Sequence, residues 1–79
     1  MSHQKYKSAF IESLGIKEKQ FNENIKYNEI TEWDSIGHMT LMSGLEETFN
    51  ISLETDDIID FSSYKKGIDI LKSKYRIKF

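Results

Sequence analysis

A chain of 79 residues makes one domain, and with no cysteine and only His3 and His38, far apart, it can build neither a disulfide framework nor a zinc site. No apolar run approaches the roughly 18 residues of a membrane span, and the opening MSHQKYKSAF lacks the apolar stretch of a signal peptide, so a cytoplasmic protein is expected. The net charge of −2 hides a segregation: Tyr27 to Tyr64 holds nine acids and no Lys or Arg, a field that repels nucleic acid and attracts basic protein surfaces.

Helical spacing dominates the chain. Tyr6, Phe10 and Leu14 recur every four residues with Ala9 beside them, and Gly15 offers a stop, which predicts a first helix over Ser2 to Leu14. Ile16 to Trp33 forms a long connection. Phe21, Ile25, Tyr27, Ile30 and Trp33 are too frequent in it for a free linker, so these side chains are expected to pin the loop onto the body. Asp34 is a good N-cap for a second helix from Ser35 to Phe49, with Asn50 as its stop. Thr55 can cap a short third helix through Phe61, and Asp56 and Asp57 in its first turn suit the positive end of the helix dipole. Ser63 can cap a last helix with Tyr64, Ile68, Leu71 and Tyr75 in one stripe. The one strand-like piece, NISLE, is too short to carry a sheet. The expected fold is all-α, a small four-helix bundle over residues 1–79 with a short third helix and a long loop between helices 1 and 2.

On a wheel at about 100° per residue, Leu41, Met42, Leu45 and Phe49 share one side of helix 2, with His38. Ile36, Met39, Ser43, Glu46 and Glu47 fall opposite. An apolar pair beside a serine at a helix start, followed by acids, has the pattern of a docking strip. Ser35 can be a helix-start residue chosen for capping, a nucleophile, or the attachment point of a phosphate-containing group. Catalysis needs an adjacent base and an oxyanion hole. His38 projects toward the core and there is no glycine-rich elbow, so no catalytic residue and no enzyme is expected. Attachment suits a helix N-terminus, where free N–H groups meet a phosphodiester. Asp34 would repel the phosphate, so the attaching enzyme has to supply metal or basic groups.

The run DSIGHMTLMSGLEETFNISLETDDIIDFSSYKKGIDIL resembles an acyl carrier protein. That family carries Asp-Ser-Leu or Asp-Ser-Ile at the start of helix 2, an apolar stretch ending near Leu-Glu-Glu-x-Phe, an acidic third helix and an apolar fourth. Asp34-Ser35-Ile36, Leu45 to Phe49, Leu53, Asp56-Asp57 and Ile68-Asp69 fall at the family's spacing without a gap. The resemblance implies a carrier, a monomer. Ser35 would receive 4'-phosphopantetheine from coenzyme A through a phosphopantetheinyl transferase. The terminal thiol would hold an acyl or related group as a thioester and present it to acyl-loading and acyl-transferring enzymes. It implies that basic docking patches on those partners read Ile36, Met39, Glu46, Glu47, Asp56 and Asp57. Fatty-acid carriers have acids soon after the attachment serine, where this chain has Gly37 and Thr40, and peptidyl carriers have a Gly-Gly approach that is absent. Trp-Asp-Ser-Ile-Gly-His-Met is similar to free-standing carriers of specialised pathways such as surface-polysaccharide decoration or secondary metabolism. A carrier of primary fatty-acid synthesis and an unmodified acidic interaction module are the alternatives.

Overall fold

The computed structural model describes residues 2–79, and they form an all-α fold. Four helices follow one another: α1 Ser2–Leu14, α2 Ser35–Phe49, α3 Thr55–Asp60 and α4 Tyr64–Tyr75. α1 buries Tyr6, Ala9, Phe10 and Leu14, the predicted stripe. It stops where Gly15 turns left-handed at φ 66°, a conformation that costs glycine nothing and lets the Ile16 N–H reach back to the Ile11 carbonyl. α2 ends as expected on Asn50, left-handed at φ 54°. Ser63 caps α4 by accepting the Lys66 N–H at 2.9 Å.

The core is aromatic. Tyr6, Phe10, Trp33, Phe61 and Tyr64 are fully buried with Ile25, Leu41, Met42, Leu45 and Leu71. Tyr6 stacks on Tyr64 at 4.5 Å and Phe10 meets Trp33 edge-on at 4.9 Å, arrangements that add to the area each ring buries. The Tyr6 hydroxyl donates to the Tyr64 carbonyl at 2.6 Å, tying α1 to the start of α4. Burial pushes the Tyr6 hydroxyl far above its ordinary range. The Tyr64 hydroxyl is pushed up to about 12, by burial first and by Glu23 second, and it is buried without a hydrogen-bond partner. An unpaired buried hydroxyl costs roughly 1–3 kcal/mol. Tyr64→Phe is therefore expected to melt at or above the wild-type temperature; a clear fall would show that the hydroxyl has a partner after all.

The long connection is pinned largely as its composition suggests, but not by every aromatic. Ile16, Ile25 and Trp33 are buried, and Phe21 and Ile30 are half-buried. A short 3₁₀ turn at Glu18–Gln20 interrupts the loop. Tyr27 departs from expectation and is 40% exposed. Its backbone does the pinning: Tyr27 N–H donates to Ser62 O and Tyr64 N–H to Ile25 O, an antiparallel bridge between Lys26 and Ser63. Left-handed Asn28 then turns the chain away.

Three further details differ from expectation. Thr55 is not a cap but the first residue of α3, whose N-cap position is Glu54. The Glu54 carbonyl opens the helix by accepting the Ile58 N–H, and its own N–H is taken by the Tyr75 hydroxyl at 2.9 Å. In α4, Gly67 and Ile70 join Tyr64 and Leu71 in the buried face, while Ile68 and Tyr75 lie half-buried at its margins. Phe49 is likewise half-buried rather than central, tilted against Phe79 at the open end of the core.

Candidate functional site

The first turn of α2 is built by the residue before it. Asp34 is extended, at φ −101° and ψ −166°, and its Oδ1 accepts the Gly37 N–H at 2.8 Å. Capping therefore belongs to Asp34. Ser35 is the first helical residue, with an exposed side chain that the capping does not use. Gly37 is needed for close approach: a Cβ there would strike the Glu32 carbonyl oxygen. Trp33 closes the loop, donating its N–H to Ile30 O at 3.1 Å and accepting the Asn28 N–H at 2.9 Å. The serine thus stands at the joint between a tightly folded loop and a fifteen-residue helix.

Two large apolar side chains stand in solvent beside it. Ile36 is 77% exposed and Met39 54%, while Leu41, Met42 and Leu45 of the opposite face are buried. For these five residues the wheel expected from the sequence is the observed orientation, while Phe49 and Glu46 are each half-buried. Met39 and His38 also line an apolar groove of about 340 Å³, closed on its other sides by Tyr27, Ile58, Ile59 and Phe61. Ile59, 72% exposed, is a residue that sequence reasoning missed. A signal existed: consecutive helical residues stand about 100° apart, so with Ile58 turned toward the body Ile59 turns away from it.

His38 is half-buried, and both of its ring nitrogens are engaged. Trp33 Nε1–H donates to Nδ1 at 2.9 Å, and Nε2 lies 2.8 Å from the Ile58 carbonyl. The imidazole has no free nitrogen with which to deprotonate Ser35, so the pair lacks the geometry of an activated nucleophile.

The four acids expected on the docking surface divide. Glu47 and Asp56 are exposed. Glu46 is half-buried, and its carboxylate accepts the Leu53 N–H at 2.8 Å, which fixes the extended link to α3. Asp57 is 1% exposed and is no surface acid at all. Its Oδ1 takes a 2.7 Å bond from Lys74 and its Oδ2 a 2.5 Å bond from the Tyr75 hydroxyl. Lys74 first and Tyr75 second hold this carboxyl below the usual carboxylate range, outweighing the burial that would raise it. The sequence expectation fails for Glu46 and Asp57 because each carboxylate meets donors brought by later parts of the chain.

No helix of the described residues is long and apolar enough to cross a membrane. In comparisons with protein-family models and with curated proteins, the chain matches none.

Proposed function

We propose that this protein is an acyl carrier whose attachment site is Ser35. The observation that carries the reading is the placement of that serine. It is exposed, relieved of capping by Asp34, and flanked on the same helix by exposed Ile36 and Met39. A group tethered there has an apolar groove one turn away, between α2 and α3. Between Tyr27 and Tyr64 the chain has no Lys or Arg to neutralise a phosphate, so in this reading the attaching enzyme brings the cations.

The residues fit a 4'-phosphopantetheine arm attached through Ser35 Oγ. In that transfer the Oγ–P bond forms as the bond from the same phosphorus to the bridging oxygen of coenzyme A's pyrophosphate breaks. The serine proton passes to a base on the transferase, and adenosine 3',5'-bisphosphate leaves. Once attached, the arm's thiol supplies the reactive sulfur that a cysteine-free chain lacks. The chain's own part is to hold Ser35 at a rigid joint and to offer partners a surface. Ile36, Met39 and Ile59 supply apolar anchors, and Glu47 and Asp56 supply exposed negative charge for a basic patch. Asp57 and Glu46 contribute to the fold beneath that surface rather than to the surface itself.

The test is intact mass after incubation with coenzyme A, Mg²⁺ and a phosphopantetheinyl transferase. Wild type is expected to gain one phosphopantetheinyl group and Ser35→Ala none, with helical content unchanged. A wild type that stays unmodified with transferases of broad specificity would leave the unmodified interaction module in place of the carrier. Modification persisting in Ser35→Ala would move the site elsewhere.

A further inference from the structure

We infer that His38 is a proton-operated latch that fastens the loop preceding Ser35 to α2. Hydrogen-bond chemistry fixes the protonation state of the ring. An indole N–H can only donate, so His38 Nδ1, 2.9 Å from Trp33 Nε1, must be an unprotonated acceptor. A carbonyl can only accept, so Nε2, 2.8 Å from Ile58 O, must carry the hydrogen. Both bonds exist together in one state only, the neutral Nε2–H imidazole. The ring lies nearly parallel to the indole, at 19°, so the two planes are held as a unit.

A second proton has one place to go, Nδ1. Two donors, Nδ1–H and Nε1–H, then face each other, and that bond is lost. The two ends of the latch respond differently. Ile58 O is one of the last carbonyls of α3, without a partner inside its own helix, and a cationic donor there gains from charge assistance and from the helix's negative end. The α3 side therefore holds and the Trp33 side gives way. Trp33 is fully buried, so its N–H cannot simply turn to water, and relief requires the loop to move. That loop contains Tyr27, which packs edge-on against both Trp33 and His38 and lines the groove, and it runs directly into Asp34 and Ser35. Protonation of one imidazole thereby loosens the joint on which Ser35 stands and one wall of the groove beside it.

The surroundings leave the imidazole in control. Of the titratable groups on the elements around it, Tyr27 packs edge-on against the ring, at 5.3 Å between centroids. On the loop, the Glu29 carboxylate accepts the Lys26 N–H, and Glu32 is half-buried. At the N-cap of α2, the Asp34 carboxylate is bound to Gly37 N–H; on α3, Asp57 is turned to Lys74 while Asp56 and Asp60 are exposed. Among the described residues, no ion pair or hydrogen bond joins any of these carboxylates to the ring. The latch does not depend on what Ser35 carries.

The experiment is a ¹H–¹⁵N and histidine-ring NMR titration of the whole chain from pH 8 to pH 5, with His3 as an internal control. Trp33 is the single tryptophan, so its indole N–H signal is unambiguous. That signal and the Asn28 amide, which is bonded to Trp33 O, are expected to shift with the midpoint of the His38 ring. Protection of the indole N–H, corrected for intrinsic exchange, is expected to fall roughly three- to tenfold, the worth of one hydrogen bond, while the Leu71 amide stays fixed. His38→Gln should abolish the response. In Trp33→Phe, which has no opposing donor, the Asn28 amide should no longer follow the imidazole. An indole N–H indifferent to His38 titration, or an Asn28 response that survives in Trp33→Phe, would overturn the latch.

Discussion

Leu45→Ala is expected to lose about 2–5 kcal/mol of stability, whereas Ile36→Ala and Met39→Ala are expected to stay within roughly 0.5 kcal/mol of wild type. All three are apolar residues of one helix, and the contrast comes from the face on which each lies. Leu45 is completely buried, so truncation both forfeits its burial and leaves a cavity in the core. Ile36 is already mostly in water, and Met39 is half in it. For a domain of this size each kcal/mol moves the melting temperature by about 4–8 °C, so the inner variant should melt at least about eight degrees earlier. Under the carrier reading, the two outer variants are stable but slow substrates for modification or acyl transfer, because they lack the anchors a partner buries. Thermal melts and loading rates on the same three proteins separate the cases. A strongly destabilised Ile36→Ala would contradict the helix orientation, and normal loading of both outer variants would reduce the exposed pair to ordinary surface.

The elements whose signals are local were legible in the chain. α1 and α2 have the predicted ends because Gly15, Asp34 and Asn50 act within a turn of their own position, through left-handed backbone or a side-chain cap. The exposed serine and its apolar neighbours were legible for the same reason, since a fifteen-residue helix averages its pattern over four turns. What the sequence concealed lies in pairings across distance. The composition of the loop predicts a Tyr27 side chain that pins it, and nothing nearby announces that the backbone bridge between Lys26 and Ser63 does so instead. Asp57 reads as a surface acid because an acid in a first helical turn satisfies the dipole rule without further partners. Its true partners lie 17 and 18 residues on, in the last turn of α4. The toward-core position of His38 was visible on the wheel. The bond it makes to a carbonyl 20 residues later was not.

Asp57 supplies the second large effect. Asp57→Asn should cost about 1–3 kcal/mol at neutral pH, because it weakens two charge-assisted bonds to a carboxylate that is itself buried, although its Lys74 partner is exposed. The cluster matters beyond its own energy. α3 has six residues and no side-chain cap, and helices that short do not persist in water on their own. Asp57 fastens its first turn to Lys74 and Tyr75, and the same Tyr75 hydroxyl accepts the Glu54 N–H at the helix start. The pH dependence identifies the carboxylate as the cause. Its folded-state value is lowered, by Lys74 foremost and Tyr75 next. The stability it contributes is therefore fully present above the unfolded carboxyl's value of about 3.9, and is lost as pH falls below that and through the lower folded value. Tyr75 and Lys74 are both raised, Tyr75 by burial first and Lys74 by its bond to Asp57 first, so their share is present at neutral pH and is lost only as pH climbs through the alkaline range. Denaturant unfolding of wild type and Asp57→Asn should differ most across the neutral range and converge as pH drops below about 4. Tyr75→Phe should reproduce part of the loss. A gap between wild type and Asp57→Asn that holds constant from pH 7 into the acid range would mean that the residue stabilises α3 by shape and hydrogen-bond count, with its charge playing no part.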